Sequence, residues 1–437
     1  MPYAMQSMRH EFAVKFHVGK IRHTRIATFH AHDMTAALDI LIFLLAAAAR
    51  DCSSFGFSSR SYVPKSTSTR LLLNLNPFAS RQSLREQCEE RYPSSIWADN
   101  VTEGYEAAAT VFGALLNASC SGDGAPRQIW FPKMKETQML SGLAESLNDN
   151  TERLGGWSAS LERWPMTPTT GIFLTLADGI DLLRSKDLLD AMDQTEAVEA
   201  TKHWVNNTLG RLGLCPHVAS TTRAAIGLDS VGVSSGPVVV RHTMSAPLRS
   251  DDDNALTDAM ILGASFWNAV LDLARCPETD VATFLLIAPP AFDENFADFV
   301  ATCDNLLERS CKAVRADSII GKAWFHPRYN SSVVGQDSIL PGHALPAEMV
   351  TEFVHEYFGD VDGLGLAAVS RANDAVRHTP HATVNLLRRS QLQASKEAEA
   401  ASLSSVSTNE GKQRRKKGPN SIYAQNVIRL LSLEDDG

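Results

Sequence analysis

A chain of 437 residues, 44% hydrophobic and 21% charged, has room for roughly two to three ordinary domains and enough apolar content for a sizeable core. Its net charge of −9 offers no general basic face, which argues against general nucleic-acid binding or adhesion to anionic membranes. The 7 cysteines are sparse, odd in number and lack any CxxC pair, so the chain is neither a disulfide framework nor a structural zinc module of ordinary spacing, and a reducing compartment is expected.

Residues 1–85 read as a targeting presequence, largely disordered. The first 33 residues are basic, with Lys15, Lys20, Arg22 and Arg25, and a nearly unbroken apolar run follows from Ala36 to Ala49. That run is shorter than the ~20 residues a membrane span needs and ends in small residues, as the apolar part of a signal peptide does. Ser-rich sequence with Arg follows. The pair is similar to the bipartite presequences of algae with secondary plastids, whose second part often opens on Phe, and Phe55 or Phe57 would fit. Plastid delivery is therefore expected, with mitochondrial or cytoplasmic residence as alternatives. Asp39 interrupts the apolar run, and a start at Met34 would remove the basic flank. A buried core helix with a disordered flank is the plain alternative. No transmembrane anchoring is expected in the mature chain.

Residues 86–190 form an extra helical or mixed region with no repeat and no motif. Glu103 to Asn117 has helical spacing, with Ala107, Val111, Ala114 and Leu115 on one face. Ile129 to Pro132 is a short strand or loop anchor, and Gly171 to Ala177 reads as a buried strand.

Residues 191–400 carry a clearer pattern. The stretch 196–212 is an amphipathic helix closed by Gly213. Val238 to His242 is a strand. Asp251 to Asn254 offers N-cap groups for a helix through Ala274. Thr283 to Ala288 is a buried strand closed by two prolines, Asp293 to Val314 a helix, and Ile319 to Phe325 a third strand ended by His326-Pro327. Residues 331–376 look inserted, and 382–400 read as another helix. A polar basic linker spans 401–420, and 421–437 hold a short C-terminal helix. Strands alternating with helices of this length imply an α/β fold, with helices layered on a small mixed sheet.

Several blocks resemble one family. Trp204 to Ala219 (WVNNTLGRLGLCPHVA), Leu285 to Pro289 with Phe296 and Phe299, Ala323 to Tyr329 (AWFHPRY), Thr379-Pro380 with Leu386-Leu387-Arg388, and Asn426 to Leu430 occur in the order seen in the domain of unknown function family numbered 1415. The resemblance covers about residues 195–433. It implies an α/β domain and assigns no reaction or cofactor. The sequence departs from the family's pattern at His217, where Phe is usual, at Asn385, where His is usual, and at His381-Ala382, where Tyr-Pro is usual.

Two residues carry the catalytic expectation, Cys215 and His326. Cys215 sits just past a helix end before a Pro, in a fixed turn. A thiolate there needs a nearby cation or His, and a helix C-terminus opposes it. The plain alternative is a small residue packing the turn. His326 lies at a strand end, a common place for site residues in α/β folds. Arg388 is the expected anion anchor, its guanidinium fork matching carboxylate or phosphate. Arg328, Tyr329 and His217 are expected to line the same cleft. Cys215 with His217 and His326 would also suit a metal. Three readings compete: an enzyme acting on an unknown small molecule, a non-catalytic binding or scaffold protein, and a Cys/His metal protein. The basic run Lys412 to Lys417 is read as a solvated linker.

Overall fold

The computed structural model describes residues 95–121, 125–164, 169–178, 194–212, 214, 237–243, 257–331, 345–359, 361, 364–391, 393 and 420–435. The expected presequence over 1–85, residues 401–419 of the expected linker, Cys215 and His217 lie outside these described residues.

The first half holds β1 (Ile96–Trp97), α1 (Gly104–Ser121), β2 (Arg127–Phe131), α2 (Thr137–Asn148), β3 (Trp157–Arg163) and β4 (Thr170–Leu176). Its sheet runs β1-β2-β4-β3; β1 and β2 are parallel, and β4 runs antiparallel to both its neighbours. After α3 (Gln194–Trp204) and a widened helical turn (Val205–Arg211), the second half begins. It contains β5 (Val238–His242), α4 (Asp258–Arg275), β6 (Thr283–Ile287), a short helix α5 (Ala291–Glu294), a longer helix α6 (296–313) and β7 (Ile320–Phe325). Helices α7 (Ala347–Phe358) and α8 (Leu366–Ala375) lie between β7 and β8 (Thr383–Arg388), which returns to the sheet. Helix α9 (Asn420–Asp435) follows. The second sheet runs β5-β6-β8-β7, with β5 parallel to β6 and β8 antiparallel to β6 and β7.

The two halves therefore repeat one plan, strand-helix-strand-helix-strand-strand, in the same strand order. The repeat that the sequence does not disclose is structural. The registers align it residue by residue. Thr170 opens β4 opposite Phe131 and Arg163, and Thr383 opens β8 opposite Ile287 and Phe325. Trp164 of the first half thus stands where His326 stands in the second. The elements between Ile96 and Leu176 are thus the counterpart of those that follow.

The halves join through their helices, stacking sheet on helix on helix on sheet, with further helices on the outer face of the second sheet. Helices α1 and α4 run antiparallel, with Arg275 at the end of one paired at 3.0 Å to Glu106 at the start of the other. The Ala-rich face of α1 lets the two approach closely. A Cβ at Gly263 would sit 2.6 Å from Phe112, whose ring also meets Trp267 with centroids 6.3 Å apart. Helices α2 and α6 pair likewise, with Asp149–Arg309 at 2.6 Å and Glu136–Arg315 at 2.7 Å at the rim. One apolar core fills this double layer and takes the inner faces of both sheets, from Ile129 and Leu174 to Phe284, Trp324 and Val384. A second core lies on the outer face of the second sheet, under α3, α7, α8 and α9.

Local chemistry sets the element ends. Thr257 caps α4, its Oγ1 accepting from the Met260 N–H at 3.2 Å. The expected caps at 251–254 fall outside the described residues. Asn295 breaks the helix expected from Asp293, and its Oδ1 accepts the Asp298 N–H at 3.1 Å to start a new one. The helix expected over 382–400 is corrected: residues 383–388 are a strand, buried throughout and bonded on both sides. Leu-rich sequence suits either state; two waiting strand partners decide it. No helix among the described residues is long and apolar enough to cross a membrane.

Candidate functional site

Parallel strands β5 and β6 both end at one edge of the second sheet, where β7 also ends and β8 begins. Such carboxyl edges are where α/β proteins hold ligands. Here the row His242, Ile287, Thr383, Phe325 crosses the outer face. The turn after β6, Ala288-Pro289-Pro290, leads into α5 and presents Asp293. One Asp293 carboxylate oxygen lies 2.7 Å from His381 Nδ1, and the other accepts the Ala382 N–H at 2.6 Å. The carboxylate is thus pinned, and His381 carries its proton on Nδ1, which leaves Nε2 with no protein partner among the described residues. The His381 carbonyl is itself held by the hydroxyls of Thr379 at 2.6 Å and Thr383 at 2.8 Å. The pair is reachable, with His381 21% and Asp293 19% exposed. His242 stands close enough to feel both. Burial holds its pKa below 6.5, the Thr243 carbonyl 2.5 Å from Nδ1 pulls it up, and nearby His381 lowers it while Asp293 raises it. A base oriented by a carboxylate, beside a second imidazole, is the arrangement general acid–base chemistry requires.

His326 is different. It is fully buried, its Nδ1 accepting the Arg328 N–H at 2.9 Å and its Nε2–H donating to the Phe292 carbonyl at 2.6 Å. The rings of Phe296 and Phe299 pack on it at 5.0 and 5.5 Å. Burial pushes its pKa below the usual value, and both nitrogens are spent. It pins the β7 end to α5. Arg328 lies on the surface and binds the Glu294 carboxylate and, at 3.0 Å, the Glu294 carbonyl. Tyr329 is buried against Phe296 at 5.3 Å, and burial pushes its phenol up to about 12. These three residues do cluster, but around a packed turn.

Arg388 is at the other edge. Thr383 pairs with Phe325 and Arg388 with Ile320, so His326 and Arg388 are separated by the length of β8, about 16 Å. The Arg388 guanidinium donates to the carbonyls of Val281 at 2.8 Å, Leu273 at 2.5 Å, Cys276 at 2.8 Å and Pro277 at 3.2 Å. The cause is visible in the sequence. Residue 277 is Pro and has no N–H, so the helix cannot satisfy Leu273. Arg388 fills that role, and the expected anion anchor is corrected to a cap on the C-terminus of α4. A cavity of about 240 Å³ opens beside it, lined by Leu273, Ile319, Ser318 and Ser390.

Comparison with known proteins finds no matching family model, no similar curated protein and no similar solved structure. The site must therefore be judged on its own atoms. Sequence reasoning missed His242, Asp293 and His381. The signal for them was positional: His242 at a strand end, Asp293 in the short helix after a strand and His381 just before one. Reading 383–388 as helix hid it. Among the described residues no group of three or more His, Cys, Asp or Glu side chains has metal-holding geometry.

Proposed function

We propose that the chain acts on a small molecule at the carboxyl edge of its second sheet, with His381 as general base, Asp293 as the group that orients it and His242 as a second proton carrier. One observation carries the reading: Asp293 holds both the His381 ring at 2.7 Å and the Ala382 backbone at 2.6 Å, which aims Nε2 outward on a fixed mount. The earlier pairing of Cys215 with His326 has less support, because His326 has no nitrogen to spare. The probe is 4-nitrophenyl acetate, which an accessible basic imidazole hydrolyses. Turnover should rise with pH as one imidazole loses its proton, disappear in His381→Gln, and fall roughly threefold in Asp293→Asn as the ring loses the group that orients it. Equal rates in wild type and His381→Gln would end the proposal.

A second reading, a non-catalytic scaffold, is favoured by the sealed packing of His326 and the capping role of Arg388. It predicts no rate difference among these variants. The metal reading rests on Cys215 and His217, and its check is metal content of the purified protein against Cys215→Ser. We also place residues 195–433 with the domain of unknown function family 1415, on the sequence blocks quoted above. Residues 1–85 we assign to plastid delivery; a fusion of residues 1–90 to a fluorescent protein that stays in the cytosol would remove that assignment.

A further inference from the structure

Beyond the acid–base reading, we infer that Arg377 is the core of a binding site for a small oxyanion, a carboxylate or phosphate. Three cations among the described residues are more than nine-tenths buried, and two of them are neutralised or fully engaged. Lys322, 3% exposed at its side chain, pairs with Glu308 at 2.9 Å and with Asp317. Arg388 is spent on four carbonyls. Arg377 is 1% exposed and pairs with no carboxylate among the described residues. Among the described residues its Nη1 reaches only the Asn373 carbonyl at 3.2 Å, its guanidinium stands 5.5 Å over the Tyr329 ring, and its Nη2 has no partner. A guanidinium cannot shed its proton, so a buried one with no carboxylate in direct ion-pair contact is costly. An oxyanion removes that cost.

The surroundings suit one. Arg377 follows α8 at the carboxyl edge, and its own carbonyl accepts the His326 N–H at 3.1 Å. Asp374 binds the Ser331 N–H and hydroxyl through one oxygen, both at 3.1 Å, and its other oxygen has no partner among the described residues. That second oxygen would accept an O–H of the same ligand, as a hydrogen phosphate provides. Nη2 is sealed from solvent, so an anion enters as the edge opens locally.

The test is thermal unfolding of the full chain in chloride, phosphate and acetate at equal ionic strength. The wild type should gain roughly 2–4 °C in phosphate, in acetate or in both, and the larger gain names the class. Arg377→Met should abolish the gain. Arg377→Lys, which keeps the charge and loses the fork, should halve it or more, and serves if the Met variant does not fold. His381→Gln should keep it, which separates this site from the acid–base proposal. No gain in either oxyanion, or an undiminished gain in the Arg377 variants, would overturn the inference.

Discussion

Arg388→Met tests how the second half is held together. Met keeps much of the apolar stem and removes the guanidinium. Four hydrogen bonds from a charged donor are lost, each worth about 1.5–3 kcal/mol in mutational terms. Part is recovered because a buried charge no longer has to be desolvated. The carbonyls of Leu273 and Cys276 are left without their arginine donor, and Pro277 cannot help Leu273. The net loss should be about 3–5 kcal/mol. At a urea slope of about 3 kcal/mol/M the midpoint falls by about 1 to 1.7 M. Lys at this position cannot reach several carbonyls at once, so Arg388→Lys should keep less than half of the difference. Urea titrations followed by far-ultraviolet circular dichroism provide the readout. A midpoint within about 0.3 M of wild type for Arg388→Met would refute the capping argument.

Gly263→Ala should cost about 1–3 kcal/mol, since the new methyl meets the Phe112 ring at 2.6 Å inside a filled core; an unchanged melting temperature would show that the helices part freely. Stability should fall as pH drops below about 6.5. Burial holds His326 and His242 below that value, so the unfolded chain takes up their protons first; the contribution is full above it and is lost as pH falls through the folded values. His326→Gln should show a shallower fall in urea midpoint between about pH 7 and 5, and an identical slope would assign the acid sensitivity elsewhere.

Much of the architecture was legible. Strands at 238–242, 283–287 and 320–325 announce themselves as short apolar runs, the latter two closed by Ala-Pro-Pro and His-Pro. Helices α1 and α4 show their buried stripes. Strand β3 was not legible, because Trp157 to Arg163 sits at a sheet edge and carries Ser and Glu on the face away from the core. Strand β8 was misread because Val-Asn-Leu-Leu-Arg suits a helix, and only the partners on either side of it select the strand. Strand order, a property of distant contacts, has no local signature. The site followed the same division. His326 was found by its place at a strand end, yet nothing in its neighbours announced that Phe292 and Arg328 would consume both nitrogens. Asp293 and His381 are 88 positions apart, and only the fold sets them side by side.

The antiparallel seam of α1 and α4 has a consequence for synthesis. When residue 176 has left the ribosome, the first sheet and both of its helices can exist, but the helix face bearing Phe112 has nothing to lie on. Its cover, α4 and α6, arrives only with residues 258–313. The nascent half must wait with an oily side bare, which is the interval in which a growing chain recruits a chaperone or sticks to its neighbours.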